Sequence, residues 1–203
     1  EETVIIIASD HGMIKQEGKI NINNWLMQQG YLFLKRPVTE RTKFSTDLID
    51  MNKTSAYGGG AYNARITINK SKVKDYEKTV NEIAVKLKEI RDDKGKRLDT
   101  RVYKAKDIYK NASHPECPDL VIYFDDLRWA SNPDLGQEGL YSWKTAVGAD
   151  TAGHSRQGCF IMSGKNIPKK GFINDIEIQQ VAPTILKMLN IPIPDDIIVT
   201  PVI

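Results

Sequence analysis

Asp10 and His11 stand side by side at the end of the run Val4-Ile5-Ile6-Ile7-Ala8-Ser9. A carboxylate beside a neutral imidazole is a ligand pair that suits zinc and, less selectively, manganese. The Val/Ile run reads as a strand buried on both faces inside a parallel sheet. Neighbouring side chains on a strand point to opposite faces, so the chain must already be turning if Asp10 and His11 are to reach one target. Gly12 suits such a turn because it takes positive φ at little cost. Ligands of open α/β sheets gather beyond the carboxyl ends of the strands, where this pair falls. The residues alone also allow a plainer reading, in which Asp10 caps the following segment beside a surface histidine.

Other chemistry-bearing residues weigh less. Asp125-Asp126 close a second apolar run, Asp119-Leu120-Val121-Ile122-Tyr123-Phe124, and adjacent acids at a strand end could meet a metal or act as acid and base, though solvated acidic turns are common. His114 sits between Ser113 and Pro115, where a structural role is favoured. Asp150 and His154 have the spacing that puts two side chains on one helix face, which we read as coincidental. Tyr57-Gly58-Gly59-Gly60-Ala61-Tyr62 invites a phosphate-cradle reading but lacks the Gly-Lys-Ser/Thr ending, so a mobile turn or a close backbone approach is favoured.

The elements that must position these residues are read from periodicity. Asn24 to Gly30 reads as a short helix capped by Asn23, followed by an extended Tyr31-Leu32-Phe33-Leu34. Tyr62, Ala64, Ile66 and Ile68 alternate with polar residues as a half-buried strand. Val73, Tyr76, Val80, Ile83, Leu87 and Ile90 recur at helical spacing, with a stop at Asp92 to Gly95. Arg101 to Ala105 is another strand, so residues 56–105 form an inserted strand-helix-strand lobe that shapes access rather than performing chemistry, while 1–55 and 106–203 form the α/β core. The aperiodic stretch from Leu127 to Gln157 carries Trp129, Tyr141 and Trp143, either as a binding wall or as packing over the core. Ile176 to Leu189 is a helix with a core-facing stripe, in which Pro183 is tolerated near the start.

With 203 residues the chain can bury a sizeable core as one domain, or as one domain with an inserted lobe. Its 29 basic and 26 acidic residues leave a net charge of only +3, without the basic stripe and interleaved aromatics of a nucleic-acid-binding domain. Cys117 and Cys159 are too few for a disulfide framework or a zinc ribbon and read as buried free thiols. No signal peptide or membrane span is visible, and compartment and oligomeric state stay open. The opening Glu1-Glu2-Thr3, without an initiator Met, gives the chain the look of an excised piece.

Ser9-Asp10-His11-Gly12-Met13 after a hydrophobic strand resembles the metal-binding signature of the alkaline phosphatase superfamily, in particular its type I phosphodiesterase/nucleotide pyrophosphatase branch. Gly153-His154-Ser155-Arg156-Gln157-Gly158-Cys159-Phe160-Ile161 resembles the family's Gly-x-His loop feeding a strand, and Val181-Ala182-Pro183-Thr184-Ile185-Leu186 its closing helix. Several short motifs in the family's order are more specific than any one of them. The resemblance implies an alkaline-phosphatase-like α/β fold, with a mostly parallel sheet flanked by helices and a small inserted α+β lobe. It also implies two divalent ions, zinc or else manganese, clamping a phosphoryl group between a Ser or Thr nucleophile and the leaving oxygen, with a covalent enzyme intermediate.

By motif matching, Asp10 and His11 correspond to ligands of the nucleophile-side metal and His154 to a ligand of the other. The family carries its nucleophile and remaining ligands before such a stretch. The chain is therefore expected to be the carboxyl-terminal portion of a phosphoric ester hydrolase acting on a small phosphoester or nucleotide-like substrate, and to be inactive by itself. Sulfatases and cofactor-independent phosphoglycerate mutases share the Asp-His pair, and a non-catalytic binding module that has lost its metals is the alternative of a different class.

Overall fold

Ala64, Ile66 and Ile68 alternate with Arg65 and Thr67, and in the computed structural model of the chain this alternation becomes a strand with its apolar members buried. The structure describes residues 3–109, 112, 114, 116–143, 151–168 and 171–203. The first half carries β1 (Val4–Ala8), β2 (Gly12–Lys15), β3 (Gly18–Asn21), α1 (Ile22–Gln28), β4 (Ala56–Gly59), β5 (Ala64–Ile68) and α2 (Tyr76–Leu87). The second carries β6 (Arg101–Lys104), α3 (Ala105–Ile108), β7 (Leu120–Tyr123), β8 (Trp129–Asn132), β9 (Tyr141–Ser142), β10 (Ala152–Ser155), β11 (Phe160–Gly164) and α4 (Val181–Met188). Contacts divide the chain into two compact units, Met13–His154 and Glu1–Gly12 with Ser155–Ile203.

The larger unit is built on an antiparallel sheet of order β4-β5-β7-β6, with Ile66 opposite Leu120 and Val102 opposite Ile122. Asp75 starts α2 by accepting the Lys78 amide, and Val80, Ile83 and Leu87 on one stripe of the helix join the core with Ile66, Leu120 and Ile122. A second sheet, β8-β3-β9, pairs β3 in parallel with β8 and antiparallel with β9, and β2 pairs with β10. Gly30, at φ +75°, stops the chain just beyond α1.

Asn23 does not cap α1 as its sequence position suggests. It lies inside the helix, fully buried, and its amide exchanges two hydrogen bonds with Gly58, accepting from the Gly58 N–H at 2.7 Å and donating to its carbonyl at 3.0 Å. The same nitrogen donates to Pro133 O at 2.7 Å. A side chain on Gly58 would collide with Ile22, so the glycine-rich stretch is a close backbone approach. Asn21 and Asn24 donate to the carbonyls of Gln137 and Gly139, and Asn132 donates to Asn21. Three amides thus satisfy loop carbonyls that a buried loop would otherwise leave unpaired.

In the smaller unit, β1 pairs antiparallel with β11, Ala8 opposite Phe160 and Val4 opposite Gly164. Pro183 falls in the first turn of α4, where its missing N–H costs nothing. Buried Thr184 accepts from the Val202 amide and donates to Gln180 O, tying the tail to the helix.

This architecture corrects the expected mostly parallel sheet flanked by helices. The sheets are small, and β3–β8 is parallel while β1–β11, β3–β9, β4–β5, β5–β7 and β6–β7 are antiparallel. The physical reason is that a continuous apolar run reports burial and says nothing about strand direction. Leu120, Val121 and Ile122 are buried because β7 lies between β5 and β6. The Val4–Ala8 run has one strand neighbour among the described residues, and Ile5 and Ile7 are more than half exposed, at 59% and 52%. Among the described residues no helix is long and apolar enough to cross a membrane.

Two outcomes are expected. Asn23→Ala leaves the Gly58 amide and two carbonyls without their buried partner, and should lower the unfolding free energy by about 2–4 kcal/mol in urea titration. Burial, and then acceptance of its proton by the Asp119 carboxylate at 2.7 Å, raise the Tyr76 hydroxyl well above the usual phenol range. Above about pH 10 the unfolded chain therefore loses that proton first and the folded chain retains it, so stability is complete below that pH and declines above it. The alkaline decline of the urea midpoint should be shallower in Tyr76→Phe.

Candidate functional site

The turn after β1 is set by hydrogen bonds to the strand that pairs with it. Ser9 N–H donates to Cys159 O at 3.0 Å, and the Cys159 amide donates to Ser9 Oγ at 2.8 Å. The ladder thus runs one residue beyond β1, and the hydroxyl then takes the place of a backbone acceptor. Two glycines allow the turn and the loop before β11 to lie this close. A Cβ on Gly12 would overlap the Gln157 carbonyl, and one on Gly158 would overlap Ser9 Oγ and press on Ser9 O.

Asp10 and His11 occupy this turn. Their side chains meet, with Asp10 Oδ1 3.6 Å from His11 Nε2, the carboxylate 85% exposed and the imidazole 35% exposed. His11 Nδ1 lies 2.9 Å from Gly12 O, and because a carbonyl oxygen only accepts, Nδ1 carries the hydrogen of that bond. In the neutral ring this leaves the Nε2 lone pair on the side of the carboxylate, the tautomer a metal-binding histidine adopts when its other nitrogen is held by a backbone carbonyl.

His154 lies on β10, in the other unit, where its ring stacks on Tyr62 with centroids 4.1 Å apart and planes 20° from parallel. Asp125, Asp126 and Leu127 turn the chain from β7 to β8 with φ of 47°, 50° and 71°, and Asp126 faces Arg101 at 3.7 Å. His114 is exposed and accepts the Glu116 amide in a local turn. Asp150 lies outside the described residues. Of the loop aromatics, Trp129 is buried at 3% exposure against Tyr141, while Trp143 continues the row outward at 58%. Both cysteines are free; Cys159 is exposed and Cys117 is half-buried, in place of the two buried thiols expected.

A family model described as type I phosphodiesterase / nucleotide pyrophosphatase matches residues 1–151. The chain belongs to that family. No curated protein matches it, and no solved structure does. Within this phosphodiesterase family match lie Asp10, His11, Gly12 and Tyr62, while His154 falls just past its end.

Asp10 and His11 bring a carboxylate oxygen and an imidazole nitrogen to 3.6 Å, a separation that two donors to one ion could share. Two donors each about 2.0–2.2 Å from one tetrahedral ion stand about 3.3–3.6 Å apart, and the observed separation falls at the upper end of that range. The same spacing serves an ion pair when the ring is protonated. Among the described residues no group of three or more His, Cys, Asp or Glu side chains is close enough to hold a metal by itself. The pair therefore fits an ion as two donors, and further donors are needed to complete the coordination.

Sequence reasoning missed Ser9, Gly158 and Tyr62 as supports. Gly158 stood inside a recognised motif, and a glycine between Gln157 and a strand is a readable signal for close approach. The alternation placed Tyr62 with Ala64, Ile66 and Ile68 on the dry face of a strand, whereas it precedes β5 and is 48% exposed. Gly12→Ala and Gly158→Ala should each destabilise the turn by about 1–3 kcal/mol, with Gly12→Ala the worse because it meets a backbone carbonyl rather than a rotatable hydroxyl. Hydrogen exchange at the Ser9 and Cys159 amides reads the difference.

Proposed function

We propose that this phosphodiesterase-family chain serves in metal-dependent cleavage of phosphate esters, with Asp10 and His11 as two donors to one divalent ion and His154 as a donor to a second. Zinc suits the donor set best, and manganese is the second choice. The reading is carried by one observation, the His11 ring held through Nδ1 by Gly12 O with Nε2 turned to the Asp10 carboxylate.

When bound, a divalent ion supplies Lewis-acid stabilisation of charge on phosphoryl oxygens. The chain's own residues set the conditions for that. Asp10 brings negative charge to a mostly solvent-exposed position, so an ion can enter without a large desolvation cost. The Gly12 carbonyl fixes the His11 tautomer and ring angle. Ser9, tied to Cys159, keeps the turn from relaxing into an extended strand, which would send the two side chains to opposite faces. Membership of the phosphodiesterase family supports a small phosphoester or nucleotide-like substrate.

Two-metal phosphoryl transfer takes more donors than Asp10, His11 and His154, together with an aligned hydroxyl nucleophile. The isolated chain is accordingly proposed to bind metal without turnover. Zinc titration by calorimetry should show binding that falls at least about tenfold in His11→Ala, while hydrolysis of a nitrophenyl phosphodiester stays at the buffer rate. Turnover lost in His154→Ala would contradict the proposed inactivity. No binding even at high zinc would favour a non-catalytic module.

A further inference from the structure

Among the described residues β6 has β7 as its one strand neighbour, so it is an open edge of the antiparallel sheet in the larger unit. The ladder fixes which of its backbone groups point outward. Just past the strand, Ala105 N–H donates to Asp119 O, and in the same register Tyr103 and Arg101 bond to β7 opposite Val121 and Tyr123. Val102 and Lys104 therefore turn their N–H groups away from the sheet, and no acceptor among the described residues meets either. Their side chains lie opposite Ile122 and Leu120, on the face that α2 covers. That helix carries two stripes. Val80, Ile83 and Leu87 enter the core, while Asn81, Ala84, Val85 and Lys88 recur at helical spacing beside β6. Between this second stripe and the strand edge lies a groove of about 450 Å³, in which Val85 is an apolar side chain 63% exposed. Charge decides what the groove can take. Lys88 has no carboxylate partner among the described residues, and Lys104 and Lys106 share the single carboxylate of Glu77. Asp107 adds one acid to the lining, so these lysines outnumber the carboxylates around them. Lysine on an edge strand works against pairing with an identical edge, because two positive rims repel. The same charge attracts an acidic strand.

We propose that the β6 edge and the groove beside α2 dock an extended acidic peptide of another protein, which adds to the sheet as a further strand and seats an apolar side chain against Ala84 and Val85. Main-chain bonds to Val102 and Lys104 supply affinity, and the groove supplies side-chain preference. The two ends of the groove are marked by Glu77, which holds Lys104, and by Lys88. Along the helix they are about 16 Å apart, the reach of about five extended residues. Because alternate side chains of a strand share a face, a segment with acids at its first and fifth places and an apolar residue midway turns all three toward α2. The acids then meet Lys88 at one end and the lysines around Glu77 at the other. This surface stands apart from the metal reading and does not depend on it.

The test titrates the full chain into a dye-labelled, end-blocked peptide Ser-Glu-Thr-Val-Thr-Glu-Ser, followed by fluorescence anisotropy, with NMR of the backbone amides alongside. Saturable binding is expected, with the Val102 and Lys104 amide protons moving downfield as they gain acceptors. Lysine in place of both glutamates of the peptide should weaken binding at least about tenfold. Lys88→Glu should weaken binding of the acidic peptide and improve that of the lysine peptide. Val85→Glu, at an exposed position that leaves the core stripe intact, should weaken the acidic peptide as well. Absence of saturable binding, or equal binding of the acidic and lysine peptides, would overturn the proposal. Binding that leaves the Val102 and Lys104 amides unmoved would overturn strand addition. A dimer of the peptide-free chain in sedimentation equilibrium that Val85→Glu breaks up would assign the edge to a second copy and overturn the acidic-peptide reading.

Discussion

Close backbone approach at Gly12 and Gly158 is the constraint on which the candidate site depends. Where β1 ends, the loop before β11 lies against the bend with no side chain between, and the Ser9 hydroxyl takes the Cys159 amide. A strand that simply continued would separate Asp10 from His11. The bend puts their side chains together, and the carbonyl of Gly12, the first residue of β2, lies 2.9 Å from His11 Nδ1; Gly12 does not take the positive φ its place in the sequence suggests. A backbone carbonyl within hydrogen-bond reach of one ring nitrogen favours, in the neutral ring, the tautomer that carries its hydrogen there.

The larger unit solves a related problem with amides. Its loop carbonyls at Pro133, Gln137 and Gly139 are met by Asn23, Asn24 and Asn21, so polar side chains inside the core perform the work that ladder bonds perform elsewhere. Asn23 also ties α1 to the start of the glycine-rich stretch through Gly58, and that stretch ends in the connection carrying Tyr62. Buried amides of this kind have high stakes, because each is satisfied only in one arrangement of its neighbours.

How much of this was legible in the sequence depends on the kind of signal. Helical periodicity located α2, with Val80, Ile83 and Leu87 buried as the stripe requires, and alternation located β5. Strand direction was not legible. Leu120 to Tyr123 and Val4 to Ala8 are alike in composition, yet the first is an interior strand of an antiparallel sheet and the second has, among the described residues, a single antiparallel partner and two open isoleucines. Periodicity reports which faces meet apolar neighbours and is silent on where the partner strand comes from. The Asp10–His11 pair was visible because its two members are adjacent in sequence, and the family match spans that stretch and continues through residue 151. The stack of Tyr62 on His154 was not legible because it joins residues far apart in the chain, and Asn23 reads as a cap because a helix cap and a buried bridge use the same amide.

The tautomer of His11 bears most directly on the central claim. Long-range proton–nitrogen correlation spectra of the folded, metal-free chain, taken where the imidazole is neutral and assigned with His11→Gln, distinguish the two ring nitrogens. A ring protonated at Nδ1 is expected, with Nε2 unprotonated toward Asp10. A ring protonated at Nε2 would mean that the Gly12 carbonyl does not hold it, and the turn would no longer explain why these two side chains should act together.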